Sequence, residues 1–387
     1  MSSEWRRRSS RHRAVFGVAT FISVVVTLVV LAAGATGANK ALPSQITIGA
    51  TLPLSGPLGP YGPFMQRGLE LGLKDAEATL GGTKLKLKTL DSQAQASLSV
   101  TQARSLVTRD KAIAIVTAAG APPVAQLKIA SQYKVPLLNG AGNTPDLVGH
   151  AWLYNNAFMV EQGGYAAMKY AADKLKAKKT SILIDTNYPP STAKAYKDIW
   201  KKLTGTTPRT QFVPYDASDA GPYIDKMLSD KPDVIFLSVG GSTLSLVLKQ
   251  LVQRGVTIPM ASNDGAVLAV PEGKSLPFKV YYANPATVAS ASLTKKYKAA
   301  YKGDLNFLVW QNYNLGRAIG AGIAMLAKRG QAITGENLNK IFDNPANKFP
   351  SDTGTMSFTS RHIVAQNATI IEVTKGKSKQ VATITTK

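Results

Sequence analysis

The chemistry open to this chain of 387 residues gathers in a set of short stretches rich in glycine, alanine, asparagine and proline. They are Leu54 to Gly62, Thr117 to Ala121, Asn139 to Thr144, Thr186-Asn187-Tyr188, Gly240-Gly241-Ser242 and Asn263-Asp264-Gly265, and they follow runs of β-forming residues. Loops of this kind at strand ends present backbone N–H groups with few side chains in the way, and Tyr61 and Tyr188 add aromatic faces. Together they suit a compact polar solute. Glycine, asparagine and proline are also what any turn requires, and for one loop taken alone that plainer explanation holds.

Catalytic constellations are weak. His150 sits between Gly149 and Ala151 in an expected turn, and His362 lies beside Arg361 in an expected surface loop. Gly240-Gly241-Ser242 reads as a turn with a helix N-cap, and Asp216 and Asp219 around Ala217-Ser218 read the same way. No G-x-G-x-x-G, Walker loop or G-x-S-x-G elbow occurs, so no nucleotide cofactor or activated serine is expected. The absence of cysteine removes disulfides, thiolate metal sites and a cysteine nucleophile, and three histidines are too few for a His-rich metal cluster. The expectation is a protein with no catalytic residue, no metal and no cofactor.

The elements that must position these loops alternate. Ile46 to Ala50 is a β-rich run. It is followed by a helix in which Leu69, Leu73, Ala76 and Leu80 recur on one face, and Lys84 to Lys88 then alternates with period two. The rhythm continues as helix 97–109, strand 113–116, helix 122–132 and strand 136–138. It restarts past residue 160 with helix 161–176, strand 181–185, helix 191–204, strand 210–213, helix 219–229, strand 234–238 and helix 243–254. A strand at 279–282, two further helices ending in a long one from Val309 to Arg329, and terminal strands with a hairpin near Lys375-Gly376-Lys377 complete the chain. Strands alternating with helices imply α/β architecture with parallel sheets covered on both faces, and the length calls for two lobes. No Pro- or Ser-rich linker separates them.

Five arginines from Arg6 to Arg13 precede an uncharged stretch, Ala14 to Ala38, ending in small residues. This is the layout of an export signal cleaved near Ala38, with an uncleaved membrane anchor as the alternative. In either case the rest of the chain is expected outside the cytoplasm, in the periplasm or on the outer face of the membrane. The 46 basic and 23 acidic residues give +23, and without residues 1–38 the charge is still +19. The lysines are scattered and no basic stripe interleaves with stacking aromatics, so nucleic acid is not an expected partner; an anionic membrane surface is.

Ile48-Gly49-Ala50-Thr51-Leu52-Pro53-Leu54-Ser55-Gly56 with Tyr61-Gly62 resembles the opening of the type I periplasmic binding proteins of the leucine/isoleucine/valine-binding family. Ala94 to Leu106, Val135 to Leu138, Ala157 to Gly164, Asp219 to Ile235 and Gly354 to Phe358 match in order and spacing. The resemblance implies two Rossmann-like lobes with parallel sheets joined by three hinge crossings, placed near residues 157, 285 and 353. Lobe one would be 45–157 with 286–352, and lobe two 158–285 with 353–387. It implies further that the protein is no enzyme and hands a small solute, an amino acid or related amide, to the permease subunits of an ABC transporter. A tethered ligand sensor and an exported hydrolase are the alternatives.

The strand-end loops and the positions carried over from the resemblance together put the ligand against Ser55, Tyr61, Ala119, Gly120, Ala141, Gly142, Asn143, Tyr188, Gly240 and Asp264. Ala119, Gly120, Ala141, Gly142 and Asn143 fall where relatives hold a ligand carboxylate, Tyr188 where an aromatic closes over it, and Asp264 near the acid that takes an ammonium. Two departures stand out. Ala119-Gly120-Ala121-Pro122-Pro123 replaces a serine-rich loop, and Asn143 stands where a threonine is common, which leaves an amide or an aromatic acid open as ligand. Asp264→Ala is expected to abolish binding of an amine-bearing solute, and unchanged affinity in calorimetry would remove Asp264 from the site.

Overall fold

Buried apolar strands with helices packed between them generate two sheets in the computed structural model, which describes residues 42–56, 58–263, 276–285 and 289–386. The first sheet is built by β1 (Gln45–Leu52), α1 (Gly62–Glu77), β2 (Lys84–Asp91), α2 (Ala96–Thr108), β3 (Ile115–Thr117), α3 (Ala121–Tyr133), β4 (Leu137–Asn139) and β5 (Leu153–Asn155). Its strands are all parallel in the order β2-β1-β3-β4-β5. The alternation foreseen over Lys84 to Lys88 matches an edge strand: Lys84 and Lys86 are exposed and Leu85 is buried.

The second sheet grows from α4 (Val160–Asp173), β6 (Thr180–Asp185), α5 (Pro190–Thr204), β7 (Arg209–Val213), α6 (Gly221–Leu228), β8 (Val234–Ser238), α7 (Gly241–Gln253), β9 (Met260–Ser262) and β10 (Val280–Pro285). All six residues of β6 and all five of β8 are buried, as strands covered by helices on both faces must be. The chain then supplies α8 (Ala291–Tyr301), α9 (Phe307–Lys328), α10 (Gly335–Asp343) and the short antiparallel pair β11 (Phe349–Ser351) and β12 (Gly354–Met356). It ends with β13 (Ala368–Thr374) and β14 (Lys377–Ile384), which add antiparallel to the edge of β10 in the order β14-β13-β10-β9-β8-β6-β7. The turn at Lys375-Gly376 is the hairpin expected there.

Some elements escape the sequence pattern, β5 and α10 among them. β5 is three residues long and wholly buried, so it has no alternation to betray it. α10 does carry a signal: Leu338, Ile341 and Phe342 share one face, and the Thr334 hydroxyl accepts the Asn337 N–H at 3.2 Å as its N-cap. His362 is a correction. It is buried, not in a surface loop, because its ring stacks on Tyr154 at 4.6 Å and both nitrogens are engaged, by the His150 carbonyl at 2.6 Å and Asp343 Oδ1 at 2.9 Å.

The core of the first sheet is completed by α9, which crosses α1 at backbone distance. A Cβ on Gly68 would lie 2.2 Å from the Val309 carbonyl oxygen, and one on Gly72 2.1 Å from that of Tyr313. Gly316 and Gly320 make the reciprocal approach from α9, onto the backbone of Leu73 and onto Ala76. Interiors packed to crystal density have no slack for such an addition. Gly72→Ala is therefore expected to cost about 1–3 kcal/mol or more of folding stability, read as a lowered urea midpoint with unchanged slope.

Candidate functional site

The loops at the carboxyl ends of the two sheets meet around a cavity of about 120 Å³. From the first sheet come the β1–α1 loop with Pro53, Leu58 and Tyr61, the β3–α3 turn with Ala119 and Gly120, and the β4 loop with Ala141 to Thr144. From the second come Asp185, Asn187 and Tyr188 after β6, Tyr215 after β7 and Gly240 after β8. Phe307 and Leu308, opening α9, close one wall. A second hollow of about 490 Å³ shares Gly120, Thr144, Asn187 and Tyr188 with this cavity.

Local constraints set each wall. Asn139, fully buried at the end of β4, accepts the N–H groups of Ala141 and Gly142 on Oδ1 at 3.2 and 2.8 Å and donates to the Gly142 carbonyl, so its side chain shapes the loop. Gly142 is required by contact: a Cβ there would lie 2.1 Å from the Ala119 carbonyl oxygen. Ala119 itself has φ +72, a left-handed conformation that costs a non-glycine residue on the order of 1–2 kcal/mol and often marks a working site. Tyr215 is tied at both ends of its peptide unit, its N–H to the Thr186 hydroxyl and its carbonyl to the Thr243 hydroxyl.

Asp185 ends an otherwise apolar strand and is 1% exposed. Its Oδ2 accepts the Gly240 N–H at 2.8 Å and its Oδ1 the Asn187 N–H at 2.9 Å, stapling two cavity loops together. Among the described residues no cation pairs with it. Burial pushes its carboxyl up to about 6, against the opposing pull of backbone N–H groups from Gly240, Asn187 and Tyr188. Burial likewise raises Tyr61 and Tyr215 above the usual phenol range, with Asp185 adding to both shifts.

Among the described residues, side-chain hydroxyls of Tyr61 and Ser191 join the loops of one sheet to those of the other. The Gly241 N–H donates to the Tyr61 hydroxyl at 3.2 Å, and the Ser191 hydroxyl donates to Asp146 at 2.8 Å. Tyr61, Ala119, Gly120, Ala141, Gly142, Asn143, Tyr188 and Gly240 of the expected residues therefore stand around one cavity. Ser55 stands outside its lining, with its hydroxyl at 2.5 Å and its N–H at 3.2 Å from the Asp91 carboxylate. Burial alone would raise Asp91, but hydrogen bonds from Ser55, Gln93 and Leu54 together hold it below the usual carboxylate range. Asp264 lies outside the described residues. Asp185, Tyr215 and Phe307 were not foreseen, although an acid closing the run Ile182-Leu183-Ile184 is itself a signal. Neither His150 nor His362 lines the cavity, and no group of metal-ligating side chains occurs among the described residues.

The pattern of a family described as periplasmic binding protein matches residues 45–378. The chain belongs to the periplasmic binding protein family. As a member of it this binding protein is not an enzyme. An amino acid binding protein of Pseudomonas aeruginosa is 23% identical over 230 residues, which span 58% of this chain and 62% of that protein. The fold matches a leucine binding protein from Thermotoga maritima MSB8 with a TM-score of 0.76 at 18% identity, covering 88% of this chain and 99% of that one. It also matches a solute binding protein of an ABC transporter from Rhodopseudomonas palustris BisB5, solved with 3,4-dihydroxy benzoic acid, with a TM-score of 0.74 at 20% identity, covering 89% and 98%.

The raised carboxyl of Asp185 gives a pH signature. The native state holds this proton more tightly than the unfolded chain, so the group's cost is absent below about pH 4 and develops as the pH rises through about 6. Relative to Asp185→Asn, the unfolding free energy should fall by on the order of 3 kcal/mol between pH 4 and pH 7. Urea titrations of both proteins across that range check it; a constant difference would mean that Asp185 titrates normally.

Proposed function

We propose that this binding protein captures one small solute, an amino acid or related amide, between its two lobes outside the cytoplasm and presents it to the permease subunits of an ABC transporter. The observation that carries the reading is the cavity at the carboxyl ends of both sheets, with the Tyr61–Gly241 hydrogen bond drawn across it. Ligands of open α/β sheets sit at this end, and a site assembled from two lobes binds by hinge closure. A cavity of about 120 Å³ is comparable to the roughly 150 Å³ that accommodates a benzene ring, so the solute is of single-ring or branched-chain size.

We take lobe one as 45–157 with the segment from 286, and lobe two as 158–285 with the tail. Met356, Phe358 and Val364 pack in the core of the first sheet, and Ile363 bridges to Asn155 of β5, which supports a third crossing nearer residue 365 than 353. The scattered positive charge fits contact with an anionic membrane surface, an attraction that weakens as salt rises.

A thermal-shift screen over amino acids, amides, polyamines and aromatic acids tests the reading. A solute that binds only the folded form raises the melting point with concentration, by about 2.7 kcal/mol of stability at a hundred times its dissociation constant. Turnover of a bound solute, or no shift from any small molecule, would contradict it.

A further inference from the structure

The cavity is poorly equipped to hold an anion, on three separate grounds. Its described lining contains one carboxylate, Asp185, and no lysine, arginine or histidine. One of the helices whose amino ends open on it, α3, starts Ala121-Pro122-Pro123, and both prolines lack the N–H that a helix start would otherwise offer an anion. In the neighbouring loop, the N–H groups of Ala141 and Gly142 are already taken by the Asn139 side chain. An oxyanion entering here would meet a buried carboxylate and two tyrosines raised by burial, with the donors at Pro122 and Pro123 missing and those of Ala141 and Gly142 occupied.

Asp185 points the other way. A carboxylate has about four acceptor positions. Backbone N–H groups of Gly240, Asn187 and Tyr188 draw on it, and among the described residues no cation pairs with it. A buried charge of this kind is relieved by a cation or a further N–H donor. Resting on the reading of this cavity as the solute site, we propose that it selects solutes with no net negative charge, meets their amine or amide nitrogen with Asp185, and rejects free aromatic acids. The specificity-determining features are Asp185 together with Pro122 and Pro123.

Calorimetry on the purified protein at pH 7.5 with benzoate, benzamide and benzylamine tests this. Benzamide or benzylamine should bind at least tenfold tighter than benzoate. Asp185→Asn should lower benzylamine affinity tenfold or more while the protein still unfolds cooperatively. Should that variant fold poorly, Pro122→Ala with Pro123→Ala decides, since restoring two N–H donors should raise affinity for benzoate. Benzoate binding as tightly as its amide, or any net-negative solute emerging as the best ligand of a wider screen, overturns the inference and leaves solute capture standing. No ligand of any charge overturns solute capture itself.

Discussion

A carboxylate hydrogen-bonded by backbone N–H groups and, among the described residues, paired with no cation organises one half of the cleft. Asp185 is placed by an apolar strand that must be buried, and its two oxygens gather the loops after β6 and β8 into a single wall. Taking a carboxyl out of water carries an energetic penalty, visible in its upward shift, and the fold tolerates this because the same group orders Gly240, Asn187 and their neighbours. Stability is given up where the site is assembled, as strained or desolvated groups at binding sites commonly show.

The facing half obeys a different constraint. Its loops are held by contact: Gly142 lies under the Ala119 carbonyl, Ala119 adopts a left-handed backbone, and Asn139 occupies the N–H groups beside it. Behind them α1 and α9 meet with glycine against backbone, which makes that lobe stiff at the point where α9 delivers Phe307 and Leu308 to the cavity. A rigid wall on one side, a stapled wall on the other and a tyrosine hydroxyl reaching across is the arrangement expected of a hinged receptor, in which closure buries the guest without new backbone structure.

Much of this is legible in the sequence, for physical reasons. Helices such as α5 and α7 declare themselves through periodicity, the buried strands β6 and β8 through continuous runs of β-forming apolar residues, and glycine-rich stretches after strands mark where loops must converge. Tyr61 and Tyr188 line the cavity, Tyr61 in a glycine- and proline-rich loop after a strand and Tyr188 at a position the family resemblance singles out. Asp185 was missed although it closes an apolar run, because the sequence does not show that the strand end carrying it is buried. His362 was misplaced because stacking on Tyr154 links residues more than 200 apart in the chain. Ser55 stands outside the cavity lining and bonds Asp91, a pairing that spacing does not disclose.

The central claim is that two halves shut over a bound molecule and release it unchanged. Small-angle scattering of the purified protein, with and without saturating amounts of a solute already shown to bind, tests this most directly. The account predicts a smaller radius of gyration in the loaded state and the solute recovered intact. A bound solute with no compaction, or a solute returned as product, would contradict it.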